Sequence, residues 1–432
     1  MSFFYHILCD ANLFLWNGPI LILLLGTHCF FTLRLGFVQR HLPTALRLSE
    51  NGHTSQGFRS LTTALAATLG TGNIVGVSSA IALGGPGAVF WCWITGLLGM
   101  ATAYAECYLC MLYRKKESDG SYRGGIMYVL EHALHSKAAG GLFAFLLLIA
   151  SFGIGCSTQA GTVSETVADL TGISPVITGS ILVVFVGYVI LRGSSGIKKF
   201  CSILVPAMAF LYLASCLLLL LIHRSYIFPA LKLIVSSAFT PTAAFGGIAG
   251  GSLLVSARYG IARGLFTNEA GIGTAPLAFT ENKESSPEKT ALLSMSAVFW
   301  DTVILCALTG IVIISALLRT PFLGESYSPT TLTSAAFSVL PCGELLLGLS
   351  LIAFSYATLI GWSYFGAQAV TYLFGNHALP TYRLCYLGMI FLGSVLSLPF
   401  IWEMTDFINA CMVLPNVAAL LLLQKHIRPP KA

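Results

Sequence analysis

Charge is what this chain has least of. Asp, Glu, Lys and Arg together make up 9% of its 432 residues while 56% are hydrophobic, against roughly a quarter charged in an ordinary soluble domain. That balance excludes a water-soluble domain of any size and predicts an all-α polytopic membrane protein. Enzyme signatures are missing too: there is no HExxH, no Gly-Lys-Ser/Thr phosphate loop and no GxSxG nucleophile turn, so an intramembrane enzyme ranks last among the function classes. The net charge of +6 is spread over short loops and forms no patch for nucleic acid. The 12 cysteines fall mostly inside apolar segments and read as small buried hydrophobes. The first basic residue is Arg34, so the start of the chain reads as a retained helix and not as a signal peptide.

What is abundant is apolar sequence in lengths near the 20 residues a bilayer requires. Eleven candidate helices are expected, at 13–33, 58–84, 87–113, 141–170, 174–192, 201–222, 245–280, 290–318, 343–374, 382–400 and 404–424. Alternating the loops gathers on one face the basic residues between 34 and 59, those between 114 and 123, Arg192, Lys198, Lys199, Lys283, Lys289, Arg383, Lys425, Arg428 and Lys431. The other face receives little beyond Arg224, Lys232 and Arg319. The positive-inside rule then puts the N-terminus outside and the C-terminus in the cytoplasm. Setting aside the first helix, five spans run over 58–222 and five over 245–424. Five is odd, so the two halves have opposite orientation, the plan of an inverted repeat.

Each half opens with a glycine-interrupted segment: Leu69-Gly70-Thr71-Gly72-Asn73-Ile74-Val75-Gly76 in the first, Thr267-Asn268-Glu269-Ala270-Gly271-Ile272-Gly273 in the second. A helix broken at bilayer depth exposes carbonyl oxygens to a cation and free N–H groups to a carboxylate, the arrangement of a secondary transporter. At the first break Thr71, Gly72 and Asn73 are the candidate substrate contacts, and a glycine packing groove is the alternative. At the second, Asn268 and Gly271 are candidates, and Glu269 either counters Arg258 or Arg263, faces a cation path or meets a substrate ammonium. Gln159 is a ligand contact or an interhelical hydrogen bond. Ser355 and Thr358, one helical turn apart, either lend hydroxyls to a cation or bond back to their own helix. Trp362 either walls a small pocket or belongs to an aromatic belt.

Five stretches resemble the alanine or glycine:cation symporter family, within the amino acid-polyamine-cation superfamily: GTGNIVGVSSAIALGGPGAVFWCWITGLLGMATAYAE at 70–106, YRKKESDGSYRGGIMYVLE at 113–131, GIARGLFTNEAGIGTAPLAF at 260–279, FWDTVILCALTGIVII at 299–314 and LIGWSYFGAQ at 359–368. The resemblance implies a LeuT-type fold and symport of a small neutral amino acid, alanine or glycine, driven by sodium. It places the substrate at Thr71–Asn73 and Asn268–Gly271, with Gln159 and Trp362 beside it. It places a sodium ion between the first and eighth core helices, on backbone oxygens near Ala66 and Leu69 and oxygens near Ser355 and Thr358. Cys156-Ser157-Thr158 before Gln159, and Ala367-Gln368, depart from the family pattern and put the side-chain preference in doubt. No organic cofactor is expected. Proton coupling is the alternative within the transporter class; a channel lacks a filter motif, and a sensor would need a signalling domain that the short segment after residue 424 cannot supply.

Overall fold

The computed structural model describes residues 2–50, 56–118, 120–240, 253–282, 286–320, 331–396 and 399–430. The start of the segment expected at 245–280, and Lys283 and Lys431, lie outside the described residues. In chain order the helices are α1 (Ser2–Asn17), α2 (Pro19–Arg34), α3 (Leu42–Glu50), α4 (Gln56–Thr68), α5 (Val75–Gly84), α6 (Gly87–Leu112), α7 (Ile126–His132), α8 (Lys137–Phe152), α9 (Thr158–Thr171), α10 (Pro175–Ile190), α11 (Gly193–Ile222), α12 (Arg224–Ser237), α13 (Leu253–Asn268), α14 (Pro287–Val298), α15 (Ala307–Arg319), α16 (Leu332–Phe337), α17 (Gly343–Phe374), α18 (Leu379–Val395) and α19 (Pro399–Leu422). A two-stranded ribbon, β1 (Lys115–Lys116) with β2 (Tyr122–Arg123), sits between α6 and α7.

Among the described residues, eight helical runs are long and apolar enough to cross a bilayer, and α4 with α5, bent by 66°, makes a ninth if the pair is one span. This is an integral membrane protein. The remaining two expected spans correspond to shorter helices, α10 and α13, each of 16 residues; length and composition alone do not establish a count of eleven. The α12 helix lies between two of the expected spans. Its 14 residues, Pro229 and two basic side chains keep it below the threshold of a span, yet it buries Ala230, Ile234 and Ser237 against α6 and α15.

The two glycine breaks are broken in different ways. At the first, α4 stops at Thr68, Gly70 is extended (φ −129°, ψ −158°), and one tight turn over Thr71–Asn73 leads into α5. At the second, no continuous helix resumes after Asn268. Glu269 (φ 51°), Gly271 and Gly273 (both φ 92°) are left-handed, a run that no helix accommodates, and the chain reaches residue 282 through turns and a short tight helix at Ala275–Ala278. Two wide π-type turns, Gly153–Ser157 and Phe299–Cys306, interrupt spans that the hydropathy pattern reads as unbroken. Cys107 and Cys110, in C-x-x-C spacing, are both free and buried within α6, and among the described residues no group of three or more His, Cys, Asp or Glu could hold a metal.

Candidate functional site

The first break folds as it does because its side chains replace lost helical bonds. Asn73 accepts the Gly70 N–H on Oδ1 at 3.2 Å, so the Ala66 carbonyl, which that N–H would meet in a continuing helix, is released. The Asn73 amide donates to Asp301 Oδ1 at 2.6 Å and to the Asp301 carbonyl at 3.2 Å, and Asp301 Oδ2 takes the Thr302 hydroxyl at 2.8 Å. Asn73 is wholly buried and braces the break against the π-type turn at 299–306. It does not line the cavity beside it.

That cavity, of about 510 Å³, is walled by the first break on one side and by α9, α13 and α17 on the others. Of the residues expected at the substrate, Thr71, Gly72, Gln159, Glu269 and Trp362 line it; of those expected at the cation, Thr358 does. Gly70, absent from the expected set, is where the walls converge. A β-carbon there would lie 3.1 Å from Thr358 Oγ1 and 3.7 Å from both amide atoms of Gln159, so glycine lets the polar side chains reach backbone. Gly72 meets the second break, since its β-carbon would come within 3.1 Å of the Thr267 methyl. The Gln159 amide donates to the Ile154 carbonyl across the π-type turn at 3.3 Å, and its Oε1 has no partner among the described residues. Trp362 is fixed from behind: a β-carbon on Gly155 would run into its ring, and the Tyr386 hydroxyl sits 2.8 Å from both the Gly155 and the Leu359 carbonyl oxygens.

Asn268 and Gly271 stand behind the second break, outside the cavity lining. Asn268 Oδ1 accepts the Ala270 N–H at 2.9 Å, starting the turn, and Gly271 N–H donates to Glu106 Oε1 at 2.8 Å, an oxygen that also takes the Asn416 amide at 2.5 Å. Glu106 is thus a clasp on the second break that the sequence pattern did not single out. Glu269 faces the cavity and accepts the Thr274 hydroxyl; among the described residues it has no ion-pair partner, so the first of its three readings, a pairing with Arg258 or Arg263, is not made. Arg263 lines the same cavity on α13, its side chain packed over Gly76.

Of the four expected cation ligands, Leu69 and Thr358 meet beside the cavity. Thr358 Oγ1 is 3.2 Å from the Leu69 carbonyl and 3.0 Å from the Phe354 carbonyl, so this hydroxyl bonds back to its own helix and also reaches across to the residue that follows α4. Ser355 Oγ, one turn earlier, is buried without a partner among the described residues. The Ala66 carbonyl is freed as described, and α4 and α17 touch almost backbone to backbone, a β-carbon on Gly361 lying 2.7 Å from Ala67 N. Oxygens of this kind, uncharged and converging, suit a hard monovalent cation.

The cavity extends past Thr166 and Asp169 of α9 and Ser334 of α16, toward the side away from Arg59 and Arg114. On the basic side three sets of contacts tie the chain across. Arg114 donates to the carbonyls of Thr280 and Asn282 at 3.2 and 2.5 Å, Lys198 pairs with Glu281 at 2.9 Å, and the Gln368 amide donates to Glu281 at 2.7 Å.

The family model of the sodium:alanine symporter family matches residues 1–429. The chain is similar to the sodium/alanine symporter AgcS of Methanococcus maripaludis, 43% identical over 97% of this chain and 95% of that protein, and to the probable sodium/glutamine symporter GlnT of Bacillus subtilis, 35% identical over 98% and 89%. Its fold resembles that of MhsT, solved in complex with L-phenylalanine, with a TM-score of 0.58 at 15% identity over 84% of this chain and 88% of that one.

Proposed function

The chain belongs to the sodium:alanine symporter family, and from that premise, which makes it a cation-coupled amino-acid symporter and not an enzyme, we propose that it imports a small neutral amino acid, alanine or glycine, together with sodium. Substrate binds in the cavity between the two breaks, its carboxylate on the free N–H groups around Thr71 and Gly72 and its body against Gln159, Thr267 and Trp362. The ammonium lies toward Glu269. Sodium takes the Ala66 and Leu69 carbonyls with Ser355 and Thr358. The observation that carries this reading is the convergence of Gln159 and Thr358 on the unwound backbone at Gly70.

The segments 58–222 and 245–424 act as inverted repeats and 13–33 as an additional helix. By charge distribution the basic face is cytoplasmic and the N-terminus is outside, in a bacterial-type plasma membrane. The cavity then opens outward, and sodium moving inward supplies about 2.3 kcal/mol per 100 mV of membrane potential, enough to concentrate substrate by nearly two decades.

The test is uptake of labelled L-alanine and glycine into proteoliposomes under a sodium gradient, compared with potassium and with a proton gradient. Accumulation under sodium alone is expected; accumulation under a proton gradient without sodium would refute sodium coupling. Because the outer cavity wall carries Thr162, Thr166 and Glu165 and a 35% identical relative is a probable glutamine symporter, glutamine belongs in the competition set as a second substrate reading.

A further inference from the structure

We propose that His28, on the helix preceding the two repeats, is a positioning residue for the second break: its Nε2 receives the Asn268 amide and so holds the turn that opens the substrate cavity. The inference rests on the reading that this break forms part of the substrate site.

His28 belongs to α2 and is wholly buried. Its Nδ1 lies 2.8 Å from the Thr102 hydroxyl of α6, while Nε2 has no partner among the described residues. Asn268 is buried to within 1%; its Oδ1 is committed to the Ala270 N–H, and its Nδ2 is likewise without a partner. These two unpartnered atoms border the same small space beside Gly99. A β-carbon on Gly99 of α6 would lie 3.5 Å from His28 Nε2, 3.5 Å from Asn268 Nδ2 and 3.5 Å from Ala270 Cβ. The imidazole also flanks Gly271, whose β-carbon position is 3.8 Å from His28 Cε1.

The chemistry is complementary in one tautomer only. An amide nitrogen of asparagine can only donate, whereas neutral histidine offers one acceptor nitrogen. With the proton on Nδ1, donated to Thr102, Nε2 presents its lone pair toward Asn268, directly or through a single water at the Gly99 gap. That fixes which way the Asn268 amide points, and thereby keeps Oδ1 on Ala270 N–H. Released, the amide can turn, and the left-handed run that starts at Glu269 loses its anchor at one end while Glu106 holds the other at Gly271.

The experiment compares full-length wild type, His28→Gln, His28→Leu and Gly99→Ala. Glutamine keeps an acceptor; leucine fills the space and offers none; alanine at 99 fits at ordinary contact distance and fills the gap between the two groups. Hydrogen–deuterium exchange of the peptide covering 268–273 in sodium-free detergent is expected to be about tenfold faster in His28→Leu and Gly99→Ala, and unchanged in His28→Gln. Where alanine binds in sodium, its Kd is expected to rise about tenfold in the same two variants, and His28→Leu is expected to add nothing in an Asn268→Ala background. Equal exchange in all four proteins, equal acceleration in His28→Gln and His28→Leu, or full additivity with Asn268→Ala would overturn the proposal. Exchange is read without substrate, so it decides the matter even if wild type binds none of the amino acids tried, an outcome that would count instead against the substrate reading. Should His28→Leu fail to fold, Gly99→Ala carries the same comparison.

Discussion

Thr358→Val retains the shape of the side chain and removes one oxygen, which makes it a sharp test of the cation site. The hydroxyl is 3.2 Å from the Leu69 carbonyl and 3.1 Å from where a β-carbon on Gly70 would stand. A hydrogen bond or ligand oxygen to a charged partner contributes about 1.5–3 kcal/mol, so the half-saturating sodium concentration for alanine uptake should rise about 10- to 150-fold. Because affinities of two linked ligands change reciprocally, the apparent affinity for alanine should fall at low sodium and recover as sodium is raised. A second readout is independent of transport: without sodium the Leu69 carbonyl loses its donor, costing about 1–3 kcal/mol, and the melting temperature of Thr358→Val should respond less to added sodium than that of wild type. The assay is proteoliposome uptake over a sodium titration, with thermal unfolding in detergent alongside. A sodium dependence unchanged within about threefold, combined with a lowered maximal rate, would refute the assignment and leave Thr358 a packing group.

The other predictions touch different parts of the site. Asn73→Ala removes the acceptor for Gly70 N–H and the donor to the buried Asp301 carboxylate, with an expected loss of about 3 kcal/mol in unfolding free energy; a melting curve matching wild type would contradict the bracing role. Gly155→Ala forces a methyl into Trp362, an overpacking of about 1–3 kcal/mol. Trp362 should then shift into the cavity, so alanine uptake is lost before glycine uptake in a competition assay; equal loss of both would argue against a size filter there. Glu281→Gln breaks a partly exposed ion pair with Lys198, worth about 0.2–1 kcal/mol. It should raise labelling of a cysteine introduced at Ser194, which lines the space beneath Gln368, by up to about fivefold; slower labelling would mean that the pair does not hold this side shut.

The breaks were legible because glycine density inside an apolar run has few other uses, but of the residues placed on them in sequence only Thr71, Gly72 and Glu269 meet the cavity, while Asn73, Asn268 and Gly271 stand behind it. Gln159, Trp362, Ser355 and Thr358 were candidates with their alternatives open, since a lone amide or hydroxyl in a helix carries no signal about what faces it; their grouping, and the Ala66 and Leu69 oxygens, came by resemblance. What sequence did not show are the long-range clasps. Asn73 and Asp301 are 228 positions apart and Glu106 and Asn416 are 310 apart, and no local periodicity links such pairs. The same holds for the π-type turns, which cost one extra residue per turn and leave hydropathy unchanged, although one of them sets the register that turns Gln159 toward Gly70. The helical continuation expected after the second break was read from apolar composition, whereas Gly271 and Gly273 in left-handed conformations decide the local backbone.

These clasps suggest how ion and substrate act on one another. Both breaks are held from behind by a carboxylate: the first by Asp301 through Asn73, the second by Glu106 at Gly271. Their other faces meet α9 and α17, which pack on each other and, with α8 and α18, make up a second group of helices. The cavity therefore lies on the seam between the two groups, and Leu69 and Gly70 stand on it, Leu69 giving its carbonyl to Thr358 and Gly70 its backbone to the substrate side. On the proposed reading, an ion held by α4 and α17 oxygens would fix the distance between the groups at the peptide that the substrate would use, so each would lower the ordering cost for the other without any relay of side chains between distant sites. It follows that substitutions on the seam, Thr358 and Gln159, should change the coupling between sodium and alanine, whereas substitutions in the clasps, Asn73 and Glu106, should lower stability and maximal rate while leaving that coupling within about twofold. A clasp variant that uncouples sodium from alanine at full thermal stability would show that the seam is not where the two ligands communicate.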